Sequence, residues 1–382
     1  YVTELCSPCG QNKYMSESDY KLYMKNPSKN KKLMKNAREK INKHFTILSH
    51  HKFVKNAHKL KLANSVIIID EVQNIISNKG KYYKVFYKYL HKAYLKKGTK
   101  IVLLTATPIY DKPDEIALTL NLLPIKNKIE TNNQFYNKYV SDRFRLKNGN
   151  LLKPKIQKLI SFYPGANKNA FPKVKHVNVY CKMSDFQWKT YRSILKKEGG
   201  FPDNPRSLNV NNYFYVNSRS VSNIAFPNKK LRNTGFKSFK IPHTKGYDLK
   251  QCSNKLWRVL NKIKKAQGPV FVYSEFLGYA GIGSLVKILE DNGYKDFAKN
   301  GPGVRRFAVW SGSVSKPQRR KIQAAANNKN NKNGDKLQVL IGSPAIAEGV
   351  SLLRFREVHL LEPYWNTSRV EQVIGRIIRF CS

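Results

Sequence analysis

Val66-Ile67-Ile68-Ile69-Asp70-Glu71-Val72-Gln73 is the stretch that decides the fold. A run of β-branched apolar residues between polar neighbours predicts a short strand buried on both faces, as in a parallel sheet. Asp70 and Glu71 then fall at the carboxyl end of that strand, where open α/β sheets bind their ligands. One carboxylate there can hold Mg2+ through its water shell, and the next can orient or deprotonate an attacking water. The same pair is equally compatible with an acidic helix start that complements the helix dipole.

Working outward, residues 12–62 are Lys-rich and partly helical in pattern, and 81–96 read as a Tyr- and Lys-rich helix. Ile101-Val102-Leu103-Leu104 predicts a second buried strand, followed directly by Thr105-Ala106-Thr107-Pro108. The hydroxyls of Thr105 and Thr107 can bond across to the acidic strand, although Pro108 also suits a plain strand-to-turn exit. A helix is expected after Pro113, stopping near Leu122 before Pro124. Val174–Cys181 alternates like a strand, 184–197 read as a helix, and 198–247 read as an irregular insertion rich in Gly, Pro, Ser and Asn.

The strand–helix rhythm returns after Lys250. Strands are expected at Pro269–Tyr273, Arg306–Trp310, Leu337–Ile341 and Val358–Leu361, with helices over 279–292, from Pro317 onward and over 366–379. The Asn/Lys tract 327–335 reads as a flexible loop. Alternating strands and helices predict an α/β protein of two parallel-sheet lobes. The expected division is a first, incomplete lobe over 1–150, a linker and insertion over 151–249, and a second lobe over 250–382.

Two further motifs lie in the second lobe. Gly342–Leu352 follows a strand, and Ser343 and its neighbouring amides can reach a phosphate from such a turn; an ordinary strand–helix loop has the same pattern. Gln372-Val373-Ile374-Gly375-Arg376-Ile377-Ile378-Arg379 spaces Arg376 and Arg379 for one helix face. Two planar guanidiniums suit a phosphoryl group gathering charge, although a basic amphipathic helix with buried Ile residues reads the same way.

The 382 residues carry 71 Lys and Arg against 24 Asp and Glu, a net charge of +47. A polyanion is the expected partner, bound through phosphates and counterion release. Lys-rich coding from an AT-rich genome would leave the same excess as a solvated surface. No apolar run approaches the ~18 residues of a membrane span, so no membrane role is expected. The five cysteines, Cys6, Cys9, Cys181, Cys252 and Cys381, are too sparse for a disulfide framework and suit a reducing, intracellular setting. The pair Cys6 and Cys9 lacks the second pair that a zinc site needs.

Taken in order, the acidic box, Thr-Ala-Thr, the Gly342–Leu352 loop and QxxGRxxR resemble motifs II, III, V and VI of superfamily 2 helicases and Swi2/Snf2-type translocases. Val270–Phe276 resembles motif IV, and Trp310-Ser311-Gly312 the segment before the motif V strand. Met183–Gln187 with Tyr191 is similar to the opening of the second half in Snf2-type enzymes. Val358–Asn366 leading into Arg369–Arg376, with Ser218-Arg219 and Asn223–Pro227, is similar to the helicase-like ATPases of large DNA viruses, of the poxvirus early transcription factor small subunit and nucleoside triphosphate phosphohydrolase types and their giant-virus relatives.

The resemblance implies two RecA-like lobes and an ATP-dependent helicase or translocase serving viral transcription. It implies ATP and Mg2+, with nucleic acid as partner, DNA rather than RNA, beside a viral RNA polymerase or transcription factors. The implied setting is a virion or a viral factory in host cytoplasm. By position, Asp70 would hold Mg2+, Glu71 would act on the water, and Gln73 would relay to Thr105 and Thr107. Arg376 and Arg379 would reach the γ-phosphate, with Gln372 nearby and Gly349 allowing close approach to the nucleotide. Ser274 and Ser343 would face the nucleic-acid backbone. A non-catalytic, basic nucleic-acid-binding scaffold on the same fold is the alternative.

The chain departs from the family in one respect. Nothing in it matches GxxxxGK[ST], the loop that cradles phosphates; Gly80-Lys81 is followed by Tyr82 and comes after Asp70. The loop is expected before Tyr1, with the chain truncated at both ends. Alone, it is therefore expected to hydrolyse little ATP.

Overall fold

The computed structural model describes residues 2–7, 10–26, 29–76, 80–96, 98–143, 145–163, 171–199, 215–240, 248–346, 350–362 and 367–378. The chain divides into two compact units, Tyr1–Phe162 and Tyr163–Ser382.

After a single helical turn at Val2–Leu5, the first unit holds α1 (Glu17–Lys25), α2 (Lys31–Asn42) and α3 (His50–Asn56). Met34, Ala37 and Ile41 of α2 recur at helical spacing and are buried with Cys6, Tyr14, Met15 and Tyr23. Strand β1 (Val66–Ile69), helix α4 (Lys81–Tyr94) and strand β2 (Lys100–Leu103) form a β-α-β unit with β1 and β2 parallel, Ile69 opposite Leu103. Helices α5 (Glu115–Asn121), α6 (Asn132–Tyr139) and α7 (Gly149–Ile156) follow, and pack around Phe135 and Tyr139.

Both expected strands are present, but they are not buried on both faces. Ile67, Ile69, Ile101 and Leu103 pack on Phe53, Phe86 and Leu90. On the opposite face Val66 and Ile68 are 62% and 61% exposed, and Val102 and Leu104 are exposed as well. Side chains alternate across a strand, and the helices α3 and α4 line one side of this sheet. Periodicity reports a residue's apolar character; whether a second layer covers it is a tertiary matter.

The second unit holds α8 (Asp185–Lys197), α9 (Val216–Asn223), α10 (Arg232–Ser238) and α11 (Asn254–Lys265) ahead of a five-stranded sheet. Its strands are β3 (Val270–Tyr273), β4 (Lys295–Asp296), β5 (Arg306–Trp310), β6 (Val339–Gly342) and β7 (Glu357–Leu360), in the order β4-β5-β6-β3-β7. Every pairing is parallel. Helices α12 (Ile282–Asp291), α13 (Lys316–Ala326) and α14 (Thr367–Ile374) complete the unit. Here the sheet is covered on both faces. Val270, Val272, Val339 and Ile341 pack with Leu256, Leu260, Ile263, Leu285 and Ile288 of α11 and α12. Phe271, Tyr273, Leu340 and Trp310 pack with Ile322, Leu352 and Val373 on the other side. Double coverage explains why β3 and β6 are continuous apolar runs without alternation.

Several local expectations need correction. Val174–Cys181 has no regular secondary structure and is mostly exposed, and no strand pairs with it among the described residues. Part of the supposedly irregular insertion is helical, as α9 and α10; residues 200–214 and 241–247 lie outside the described set. The Asn/Lys tract is a folded turn. Asn331 is fully buried, donates to the carbonyls of Ala326 and Leu337, and accepts from the amides of Lys336 and Leu337. Its amide saturates four main-chain groups, which composition alone does not reveal. The final helix stops at Ile374, and a hydrogen-bonded turn carries the chain through Gly375–Ile378. No helix is long and apolar enough to cross a membrane among the described residues.

Candidate functional site

In the first unit the site is built at the carboxyl ends of β1 and β2. The Leu104 amide donates to the Ile69 carbonyl at 2.8 Å, and the Val72 amide donates to the Leu104 carbonyl at 3.1 Å. The strands therefore leave the sheet as a tied pair. Glu71 turns the chain in the left-handed region, with φ 52° and ψ 47°, a costly conformation for a residue with a Cβ. A short 3-10 turn, Val72–Ile75, follows at once, with Val72 and Ile75 buried. Asp70 is exposed; its Oδ1 accepts from the Glu71 amide at 3.0 Å, and its carbonyl is bonded by His50 Nε2 at 3.0 Å.

The side chains then form a chain of hydrogen bonds across the two strand ends. Gln73 donates from Nε2 to Glu71 Oε2, and its Oε1 accepts from Thr105 Oγ1 at 2.6 Å. Thr105 Oγ1 in turn accepts from the Thr107 amide at 3.0 Å. Both ends of one Gln amide are thus used, which fixes its orientation. The Thr107 hydroxyl is buried without a hydrogen-bond partner among the described residues. Glu71, Gln73, Thr105 and Thr107, separated by up to 36 positions in sequence, lie in one connected run.

In the second unit the expected residues are arranged differently. The Ser274 amide donates to the Gly342 carbonyl and the Ser343 amide to the Trp310 carbonyl, so each Ser caps the end of its strand. Both are buried, 0% and 1% exposed. The Ser274 hydroxyl donates to Glu362 Oε1 at 2.9 Å, and Ser343 Oγ accepts from the Ala345 amide. Neither side chain is presented at the surface of this structure. Arg376 lies in the turn after α14, half-buried, and its carbonyl accepts from the Leu352 amide at 2.8 Å. That bond ties the QxxGRxxR segment to the end of the Gly342–Leu352 loop. Gln372 is half-buried on α14. Arg379 and Gly349 lie outside the described residues.

A buried network in this unit was not assigned from sequence. Asn223 is fully buried; its Nδ2 donates to Glu362 Oε1 and to the Ala280 carbonyl, and its Oδ1 accepts from Lys255 Nζ at 2.6 Å. Glu362 also accepts from the Glu275 amide at 2.9 Å. Burial pushes the Glu362 carboxyl above its ordinary range, against the pull of these donors, and burial holds the Lys255 ammonium below its own. One amide therefore separates a buried acid from a half-buried base while bonding both. It joins α9, α11, the loop after β3 and the end of β7. Both Asn223 and Glu362 stand within the segments quoted for the viral resemblance; that was the only sequence signal.

Replacing Asn223 with Ala removes one donor from Glu362, which keeps Ser274 and Glu275, and leaves Lys255 and the Ala280 carbonyl without their Asn223 bonds. The expected loss is about 3 kcal/mol in urea denaturation, since each orphaned buried polar group costs roughly 1–3 kcal/mol. A loss under about 0.5 kcal/mol would mean that water replaces the amide freely.

Comparisons with known proteins bear on the chain as a whole. The SNF2-related domain model matches residues 11–254, and the helicase conserved C-terminal domain model matches residues 254–381. A putative ATP-dependent RNA helicase of Acanthamoeba polyphaga mimivirus is 39% identical over 100% of this chain and 69% of its own length. A putative helicase of Invertebrate iridescent virus 3 is 28% identical over 100% of this chain and 40% of its own. The termination factor NPH-I homolog of African swine fever virus is 25% identical over 90% of this chain and 58% of its own. The chain thus spans between 40% and 69% of the length of these relatives.

Proposed function

Since this chain belongs to the SNF2-related family of helicase-type proteins and carries a helicase conserved C-terminal domain, we propose that it supplies the water-activating strand ends and the arginine-bearing unit of an ATP-driven nucleic-acid motor. The observation that carries this reading is the run from Glu71 through Gln73 to Thr105 and Thr107 at the carboxyl ends of two parallel strands.

In this reading Glu71 takes the proton of the attacking water. Its carboxylate is held by Gln73, so any shift there is passed to Thr105 and to the Thr107 amide. That is a physical route from the hydrolysis site to a neighbouring segment. Asp70, an exposed oxygen donor at the strand end, fits Mg2+, which is held in phosphate sites by one or two carboxylates with water and phosphate completing its shell. The ion would neutralise phosphate charge when bound. Arg376, with Gln372 and Arg379, is assigned to the γ-phosphate, and Gly349 to close passage of the chain beside the nucleotide. These assignments follow the order of the family motifs.

The partner is nucleic acid. One relative is named an RNA helicase and another a termination factor, so the relatives' names lend no weight to DNA over RNA. The setting proposed is viral, with transcription as the process served.

The test is phosphate release by the complete reading frame, alone and with single-stranded DNA, duplex DNA or RNA. Release stimulated by at least one of them is expected, with little release from residues 1–382 alone. Absence of stimulated release in the complete protein would leave the non-catalytic scaffold as the better description. Strand displacement measured beside it separates a helicase from a translocase.

A further inference from the structure

Helix α8 carries one face with an unusual composition. Ser184 caps its start, accepting from the Gln187 amide at 3.0 Å. The inward face is set by Gln187 and Thr190, both buried; Gln187 Nε2 donates to the carbonyls of Val221 and Ser222 at the end of α9. This anchoring fixes the rotation of the helix and so decides what points outward. What points outward is Trp188, 45% exposed, its ring stacked on Tyr191 at 5.8 Å between centroids and 16° between planes. Arg192 and Lys196 follow Trp188 at intervals of four, and Lys189 flanks it; all three are exposed. Asp185, in the first turn, is the acidic residue of the helix.

An indole is amphipathic, with a large flat apolar face, and a stacked pair of rings half in water offers that face to another flat group. Here a stacked neighbour, Tyr191, backs the ring, and the exposed cations Lys189, Arg192 and Lys196 stand on the same helix, at one, four and eight positions from it. Unpaired bases offer a π-face to the indole and phosphates to the flanking cations at once. A duplex offers only its phosphates, because its bases are already stacked. An apolar protein partner would not call for the cations.

We propose that the outward face of α8 is a stacking platform for a single strand of nucleic acid, separate from the strand-end motifs. The proposal takes only the class of partner from the function proposed above and does not depend on ATP hydrolysis. The face recognises features common to DNA and RNA: an unstacked base beside a phosphate.

The test is fluorescence anisotropy of the 382-residue chain with oligo(dT) and oligo(U) of about twelve nucleotides, and with a duplex of the same length. Trp188→Ala is expected to weaken single-strand binding by roughly 10-fold and to leave duplex binding unchanged, while Trp188→Phe keeps most of the affinity. Lys189→Ala with Lys196→Ala is expected to lower the salt slope by about two. In the unsubstituted chain, indole emission should be quenched at saturation, and that component should be absent from Trp188→Phe. The ratio of oligo(U) to oligo(dT) affinity then shows which strand the platform prefers. Single-strand binding by Trp188→Ala within about twofold of the parent would overturn the proposal and leave protein docking as the use of this face. An equal loss on duplex would overturn it too. If the parent chain binds no oligonucleotide, this proposal and the nucleic-acid partner fall together; if it binds and Trp188→Ala changes nothing, only this proposal falls.

Discussion

Glu71→Gln in the complete reading frame is expected to lower the rate of ATP turnover by 10²–10⁴-fold while ATP still binds, the range that loss of a general base typically produces. The substitution tests chemistry and leaves the architecture in place. Glu71 accepts from Gln73 Nε2, and a Gln at 71 still has a carbonyl oxygen to accept that bond after an amide flip. The left-handed turn at this residue makes the same demand of either side chain, since both carry the same Cβ. What is lost is the ability to take a proton. Single-turnover phosphate release beside the binding of a fluorescent ATP analogue separates the two effects. Turnover within about tenfold of the parent would move the base to another residue.

The second large effect is expected at Arg376. Arg376→Ala should lower turnover by about 10³-fold or more, as loss of an arginine that meets transition-state charge does, with nucleotide affinity changing far less. The main chain at this point is secured independently of the side chain, because the Arg376 carbonyl accepts from the Leu352 amide. The backbone tie to the Gly342–Leu352 loop therefore survives the substitution. Arg376→Lys should rescue little: an ammonium is a point charge, whereas a guanidinium presents a planar fork to two oxygens. Turnover of Arg376→Ala within about fivefold of the parent, or full rescue by Lys, would remove the residue from the assigned role.

Much of the fold was legible because its causes are local. The strands β3 and β6 are unbroken apolar runs, and some helix starts carry their own signal, such as Ser184 before α8 or Ser315 before α13. The Asp-Glu pair and Thr-Ala-Thr are likewise short, and each follows its strand directly. Less legible were features that depend on a second layer or a distant partner. The apolar run of β1 gave no hint that only one of its faces would be covered by α3 and α4. Asn331 looked like part of a flexible tract because nothing in its neighbours shows an amide turned inward onto four main-chain groups.

By itself, then, the sequence determined that parallel strands end in an acidic pair, in two Thr residues and in Ser-bearing loops, since strand propensity and side-chain chemistry act over a few residues. Only the tertiary structure decided what those ends touch. Ser274 turned inward to Glu362 because a buried carboxylate must be surrounded by donors. One of those donors, Asn223, comes from 139 positions away. Gln73 and Thr105 meet across 32 positions because β1 and β2 lie side by side. Such bonds belong to the packing of one element on another, and no local pattern carries them.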